Sequence, residues 1–223
     1  MDIEIDIEKP YTPTYAFLRH SIRSDQELNF DCTPEFIAQQ TPWNPSITPT
    51  GHAFAFHVAK TKLQHITFER VVSSPFLRCL ETTFQAMKAL NIPLDKLVID
   101  AGWCEVFHCI REFVDPTFYL NINQWEQNIR NFILQHFQCT PEEAQRVPIL
   151  WDLLPKLCMI DNTVQRVETA FRRAPRVSTL FVTHLQPVAL ITRRNIKSYQ
   201  YCCGCIIDHH FQLTDTWGLE FLP

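Results

Sequence analysis

Tyr15-Ala16-Phe17-Leu18-Arg19-His20-Ser21-Ile22-Arg23 decides how this chain is read. Four apolar residues stop abruptly at two arginines and a histidine, with Thr12-Pro13 before them and Ser24-Asp25 after. A short apolar run between turn formers is the pattern of a buried strand. Its C-terminal end then carries two guanidiniums and an imidazole, and in open α/β sheets that edge is where ligands bind. Arginines held close together need an anion between them, and their planar forks suit phosphate. A neutral imidazole in that company is a candidate nucleophile toward phosphorus.

Working outward, runs at 14–19, 70–74, 97–100, 178–183 and 202–207 read as buried strands, with an edge strand at 211–214. Helical spacing fills the gaps. Residues 48–64 open on Thr48-Pro49-Thr50-Gly51, and residues 76–90 place Phe76, Leu77, Leu80, Phe84, Met87 and Leu90 on one face. This alternation predicts an α/β fold, a mostly parallel layered sheet flanked by helices. Residues 107–160 break the rhythm with an aromatic, proline-spaced stretch. It holds an amphipathic helix near 124–137 and a helix start at Thr140-Pro141-Glu142-Glu143, Thr as N-cap and Glu at the third position. We expect a helical insert there, standing over the C-terminal edge of the sheet within a single domain spanning 1–223. A helix at 161–173 leads back to the sheet, and Leu185-Gln186-Pro187 is expected to be non-helical.

Composition narrows the function classes. A hydrophobic content of 46% in 223 residues suffices for a sizeable core. Net charge is −4, so nothing draws the whole molecule to nucleic acid or to an anionic membrane, and any anion must be held by a local positive cluster. No apolar run approaches the length of a membrane span. The start, Met1-Asp2-Ile3-Glu4-Ile5-Asp6-Ile7-Glu8, alternates apolar and acidic residues like an edge strand or an arm, unlike a signal peptide. Nine cysteines, several in apolar contexts such as Cys79, Cys104 and Cys158, behave as core residues in a reduced, cytoplasmic protein. Only four glycines occur, and no glycine-rich nucleotide cradle is among them.

Three other strand ends carry chemistry. Val71-Val72-Ser73-Ser74-Pro75 leads into a helix whose first turn holds Arg78, where guanidinium and backbone N–H groups converge on one anion. Thr179-Leu180-Phe181-Val182-Thr183 ends at His184, repeating the layout around His20. Leu97-Val98-Ile99-Asp100 is followed by Ala101-Gly102-Trp103-Cys104-Glu105, which offers Glu105 as a proton donor and Asp100 as its rival.

Taken together, these residues resemble the histidine phosphatase superfamily, phosphoglycerate-mutase-like in fold. Its Arg-His-Gly-x-Arg signature is similar to Arg19-His20-Ser21-Ile22-Arg23. Its Asp-Pro-x-Leu-Thr-x-x-Gly segment is similar to Asn44-Pro45-Ser46-Ile47-Thr48-Pro49-Thr50-Gly51. The Ser-Ser-Pro-x-x-Arg-Cys-x-x-Thr motif stands at Ser73–Thr82, and Val-Thr-His at Val182-Thr183-His184. Asp100–Val106 looks like the Glu-Pro-Gly-Leu-x-Glu-Trp stretch of the ubiquitin-associated, SH3-containing phosphatase branch.

The resemblance implies a histidine acid-type phosphatase. His20 attacks phosphorus and forms a phosphohistidine, Arg19, Arg23, Arg78 and His184 bind the phosphate oxygens, and Glu105 protonates the leaving group. His20, Glu105 and His184 are then the catalytic set, with no metal and no cofactor. The expected partner is a phosphorylated small molecule or phosphoprotein, with no nucleic acid and no membrane, and a homodimer is left open. Two positions depart from the family: Ser21 and Leu185 stand where glycine is usual. Ser21 is expected to narrow the pocket or add a hydroxyl donor, and Leu185 to crowd it. The alternative function is therefore a pseudophosphatase that binds phospho-ligands without turnover. A third reading, a zinc site at Cys202 and Cys205 with His209 and His210, is disfavoured because 202 and 205 point to opposite faces of a strand.

Overall fold

The computed structural model describes residues 12–25, 44–105, 122–154 and 162–222. The opening run forms β1 (Tyr15–Arg19), with all five residues buried. β1 pairs parallel with β5 (Thr179–Thr183) and antiparallel with β6 (Ile196–Ile207). Beyond β5 lie β2 (Arg70–Ser73), β3 (Leu97–Asp100) and β4 (Ile149–Leu150), all parallel. At the opposite edge β7 (Leu213–Phe221) runs antiparallel to β6. The sheet order is β4-β3-β2-β5-β1-β6-β7: five parallel strands with an antiparallel hairpin appended.

Strand alternation builds the two cores. Ala16, Leu18, Val71, Leu97, Ile99, Leu180 and Val182 face one cluster, and Tyr15, Phe17, Val72, Val98 and Phe181 face the other. The first is covered by α1 (Pro49–Lys62), α2 (Leu77–Leu90) and α3 (Ile122–His136) through residues such as Ala55, Met87 and Ile129. The second is covered by α5 (Thr163–Arg173) and α6 (Leu185–Thr192) through Val167, Ala170 and Val188. A helix start forms as expected at α4 (Pro141–Arg146): Thr140 accepts from the Glu143 amide while Glu143 reaches back to the Thr140 amide.

The structure corrects the sequence reading in four places. The expected insert is not wholly helical, because Ile149–Leu150 joins the sheet as β4; its residues 107–121 and 155–160, like the N-terminal arm at 1–8, lie outside the described residues. The described part does reach the C-terminal edge: Trp125 of α3 packs edge-on against Phe76, with ring centroids 5.5 Å apart. β6 begins six residues before the expected strand, and its polar first half overhangs the end of β1. β7 likewise runs well past 214. Leu185-Gln186-Pro187 is helical, the first turn of α6. Proline is tolerated there because first-turn amides have no partner within the helix.

Candidate active site

Parallel pairing of β1 with β5 sets Arg19 opposite Thr183. The residues that follow, His20 and His184, are therefore neighbours, their ring centroids 5.4 Å apart. The His20 amide donates to the Thr183 carbonyl (2.9 Å) and the Ser74 amide to that of Val182 (3.0 Å), so three strand ends are tied together at this point. β3 supplies the fourth group. Asp100 caps the tight turn Ala101–Trp103 by accepting from the Gly102 amide (2.7 Å), and Thr183 donates to the Trp103 carbonyl (2.8 Å). Arg166 of α5 donates to the Gly102 and Cys104 carbonyls (2.7 and 3.1 Å). That clamp delivers Glu105 beside His184, with Oε2 3.2 Å from Nδ1. Asp100, the rival acid, is held by Arg173 and by its capping role.

His20 is buried, and its Nδ1 lies 2.9 Å from the Ser21 carbonyl, a group that only accepts. The proton therefore sits on Nδ1, and the Nε2 lone pair is left for attack. Burial, with the positive charges of Arg78 and Arg19 and the neighbouring His184, holds this imidazole well below its ordinary pKa. It is neutral at physiological pH.

His184 is fully buried and engaged at both nitrogens. Nδ1 meets Glu105, with Arg78 Nη2 3.3 Å away, and Nε2 meets the Ser74 hydroxyl at 3.0 Å and Cys79 Sγ at 3.5 Å. Burial pushes its pKa down to about 4, Glu105 opposing the shift and Arg78 adding to it. Arg78, in the first turn of α2, has no exposed side-chain surface and lies 3.7 Å from Glu105 Oε2. His20, Glu105 and His184 bring their ligand-type atoms within 4.8 Å of one another, near enough to share a metal ion. The Arg78 cation beside the Glu105–His184 contact opposes a second cation there, and supplies the positive charge that an oxyanion needs.

The remaining arginines sit differently. Arg19 is buried with Nη1 donating to the Gln200 carbonyl (3.1 Å) and its guanidinium over the rings of Tyr201 and Tyr199. Arg23 sets both arms of its fork on Asp25, at 2.9 and 2.5 Å. The charges of this pair are felt at Arg78, the cation lowering its pKa and the carboxylate raising it.

Both positions where glycine was expected have backbone conformations open to other residues. Ser21 donates its hydroxyl to the Gly51 carbonyl (2.7 Å) and its amide to Thr82 Oγ1 (2.9 Å). The hydroxyl thus points at α1, its proton taken by the Gly51 carbonyl rather than left to donate to phosphate. Leu185 is the first residue of α6, where helical backbone accepts any side chain. Cys202 and Cys205 do face opposite cores, and the hairpin turn around His209 and His210 is organised by Asp208, which accepts from the His210 and Gln212 amides (both 2.9 Å).

Sequence reasoning missed Ser74 as the partner of His184 Nε2, although Ser74 lies inside a quoted motif. It also missed Arg166, which nothing but its place on the helix leading back to the sheet could have signalled, and the tyrosines around Arg19.

No family model matches the chain, and no curated protein matches its sequence. Its structure is similar to that of the ecdysone phosphate phosphatase of Bombyx mori in complex with tungstate, at 14% identity and a TM-score of 0.58, covering 95% of this chain and 92% of that one. It is also similar to mycobacterial glucosyl-3-phosphoglycerate phosphatase, at 12% identity and a TM-score of 0.52, covering 94% of this chain and all 100% of the other. At such identities the likeness shows the fold: a mostly parallel sheet flanked by helices, of the phosphoglycerate-mutase-like kind. Among the described residues no helix is long and apolar enough to cross a membrane.

Proposed function

We propose that the chain is a metal-independent phosphomonoesterase that works through a phosphohistidine on His20. The observation that carries this reading is the His20 tautomer. His20 holds its proton on the nitrogen facing Ser21, and among the described residues no group bonds its other nitrogen, which lies beside the Arg78–Glu105–His184 cluster. Phosphoryl transfer asks chiefly for positioning and charge stabilisation, and this site supplies both.

In the first step His20 Nε2 attacks phosphorus, the P–O ester bond breaks, and the leaving oxygen takes a proton from Glu105. In the second step Glu105 accepts a proton from water, the oxygen attacks phosphorus, and the N–P bond breaks to release inorganic phosphate. Arg19, Arg23, Arg78 and His184 bind the phosphate oxygens throughout, His184 giving up one of its present partners, Glu105 or Ser74, to do so.

The run Asp100–Val106 supports a place near the ubiquitin-associated, SH3-containing branch, and the whole chain acts as one histidine acid-type phosphatase domain in the cytoplasm. The phosphatases of similar fold act on an ecdysone phosphate and a glucosyl-phosphoglycerate, by their names. A phosphorylated small molecule or phosphoprotein is the matching substrate class here.

The test is hydrolysis of 4-nitrophenyl phosphate in EDTA, with acid-quenched protein examined by mass spectrometry for an added phosphoryl group on His20. Chelator-resistant turnover with a trapped phosphohistidine is the expected result. Turnover that appears only with added metal would sink the mechanism. Tight vanadate binding without turnover would instead establish the pseudophosphatase.

A further inference from the structure

The first half of β6 overhangs the end of β1. It carries Tyr199 and Tyr201, two residues apart on one side of the strand, and both face the same partner. The Arg19 guanidinium carbon lies 4.6 Å from the Tyr201 ring centroid and 4.9 Å from that of Tyr199, within the range of cation–π attraction. Gln200, between them, accepts from Arg19 Nη1 through its backbone carbonyl. The Tyr201 ring is also 6.2 Å from the His20 ring. Arg19 is only 8% exposed, and among the described residues its Nε has no hydrogen-bond partner. A buried N–H left without an acceptor is costly unless a ligand supplies one.

We infer that Tyr199 and Tyr201 are positioning residues: they grip the Arg19 guanidinium so that its open N–H awaits a phosphate oxygen beside His20. This rests on the phosphatase reading above and adds to it the device that fixes Arg19. An arginine on a strand end has four rotatable bonds, and an unrestrained side chain must be ordered when the anion binds. Two ring faces and one carbonyl restrain it beforehand. The grip comes from the appended hairpin, which the parallel part of the sheet does not need for its own pairing.

Orthovanadate affinity, measured by competition against 4-nitrophenyl phosphate and directly by calorimetry, tests the grip. Removing both ring faces with Tyr199→Leu and Tyr201→Leu is expected to weaken vanadate binding about tenfold, the scale of two cation–π contacts. Tyr199→Phe and Tyr201→Phe retain the faces and should restore the affinity. The thermal midpoint of each variant reports whether the hairpin still folds, and Tyr199→Leu alone, at an exposed ring, serves if the double variant does not. The discriminating arm is Arg19→Ala, in which the leucine substitutions should have no further effect. Equal weakening with and without Arg19, or no weakening at all, overturns the grip alone. Failure of the wild-type protein both to bind vanadate and to turn over overturns the phosphatase reading, and the grip falls with it.

Discussion

His20 and His184 occupy equivalent positions, each the first residue past the end of a buried parallel strand, in two strands that pair with each other. Both imidazoles are buried, and both are pushed below their ordinary pKa. Their partners make them different. The His20 ring has one nitrogen tied to a backbone carbonyl and, among the described residues, no partner on the other, which suits a nucleophile. The His184 ring has both nitrogens taken, by Glu105 on one side and by Ser74 on the other, which suits a group held in place that can donate to a developing charge by exchanging one of those partners. A strand end thus fixes where an imidazole goes, and the hydrogen-bond partners fix what it can do there.

The strongest way to break this contrast is to remove each ring in turn. His20→Asn eliminates the bond-forming atom, and turnover should fall by about 10⁴-fold or more with no phosphoenzyme formed. His184→Asn removes only stabilisation, and kcat should fall by about 10²–10³-fold. In rapid-quench experiments the phosphorylated His20 should still accumulate in that variant. If the two variants lose activity equally and neither is phosphorylated, the division of labour is wrong.

A smaller effect sharpens the contrast through pH. The folded state holds His184 near a pKa of about 4, against 6.5 for an unperturbed imidazole. Between those values the unfolded chain binds a proton that the folded chain refuses, so stability rises with pH across the window. The contribution is fully present above pH 6.5 and is lost as pH falls toward 4. The buried Glu81 carboxyl, which accepts from Ser46 Oγ and the Ile47 amide, acts oppositely. Its pKa is pushed up to about 7 from 4.5, mainly by burial, so its contribution is lost as pH rises through that range. The readout is therefore the difference between wild type and His184→Asn in urea unfolding at pH 7.5, 6 and 5. The variant should lose less stability on acidification, and parallel curves would show that His184 is not the refusing group.

The apolar runs made the sheet legible because strands buried on both faces lack polar interruptions, and the charged residues ending each run marked the edge where the site lies. β4 escaped because two residues carry no period. The first half of β6 escaped because Lys197, Ser198, Tyr199 and Gln200 are exposed and look like a loop. The start of α6 was hidden by Pro187, whose missing amide is harmless in a first turn. Within the site, the identities of His20, Arg78, Glu105 and His184 were readable from their places after strands. The state of each ring was not, since it depends on the Ser21 carbonyl, the Ser74 hydroxyl and the Arg166 clamp, none of which has a spacing to read.

The smallest expected effect concerns the residue that follows the nucleophile. Glycine at 21 would match the family pattern, and the position has no positive φ that demands it. The serine side chain donates to the Gly51 carbonyl in the first turns of α1 and meets the Cys202 thiol. Ser21→Gly removes both contacts and loosens the backbone, so stability should fall by about 1–2 kcal/mol. The carbonyl that orients His20 remains, and turnover should change by less than about threefold, because the deleted atoms face α1 rather than the reacting centre. Steady-state kinetics beside a denaturation curve separates the two quantities. A large gain in turnover would mean that Ser21 obstructs phosphate after all, and that the wild-type pocket is tuned for holding a phosphate rather than releasing it.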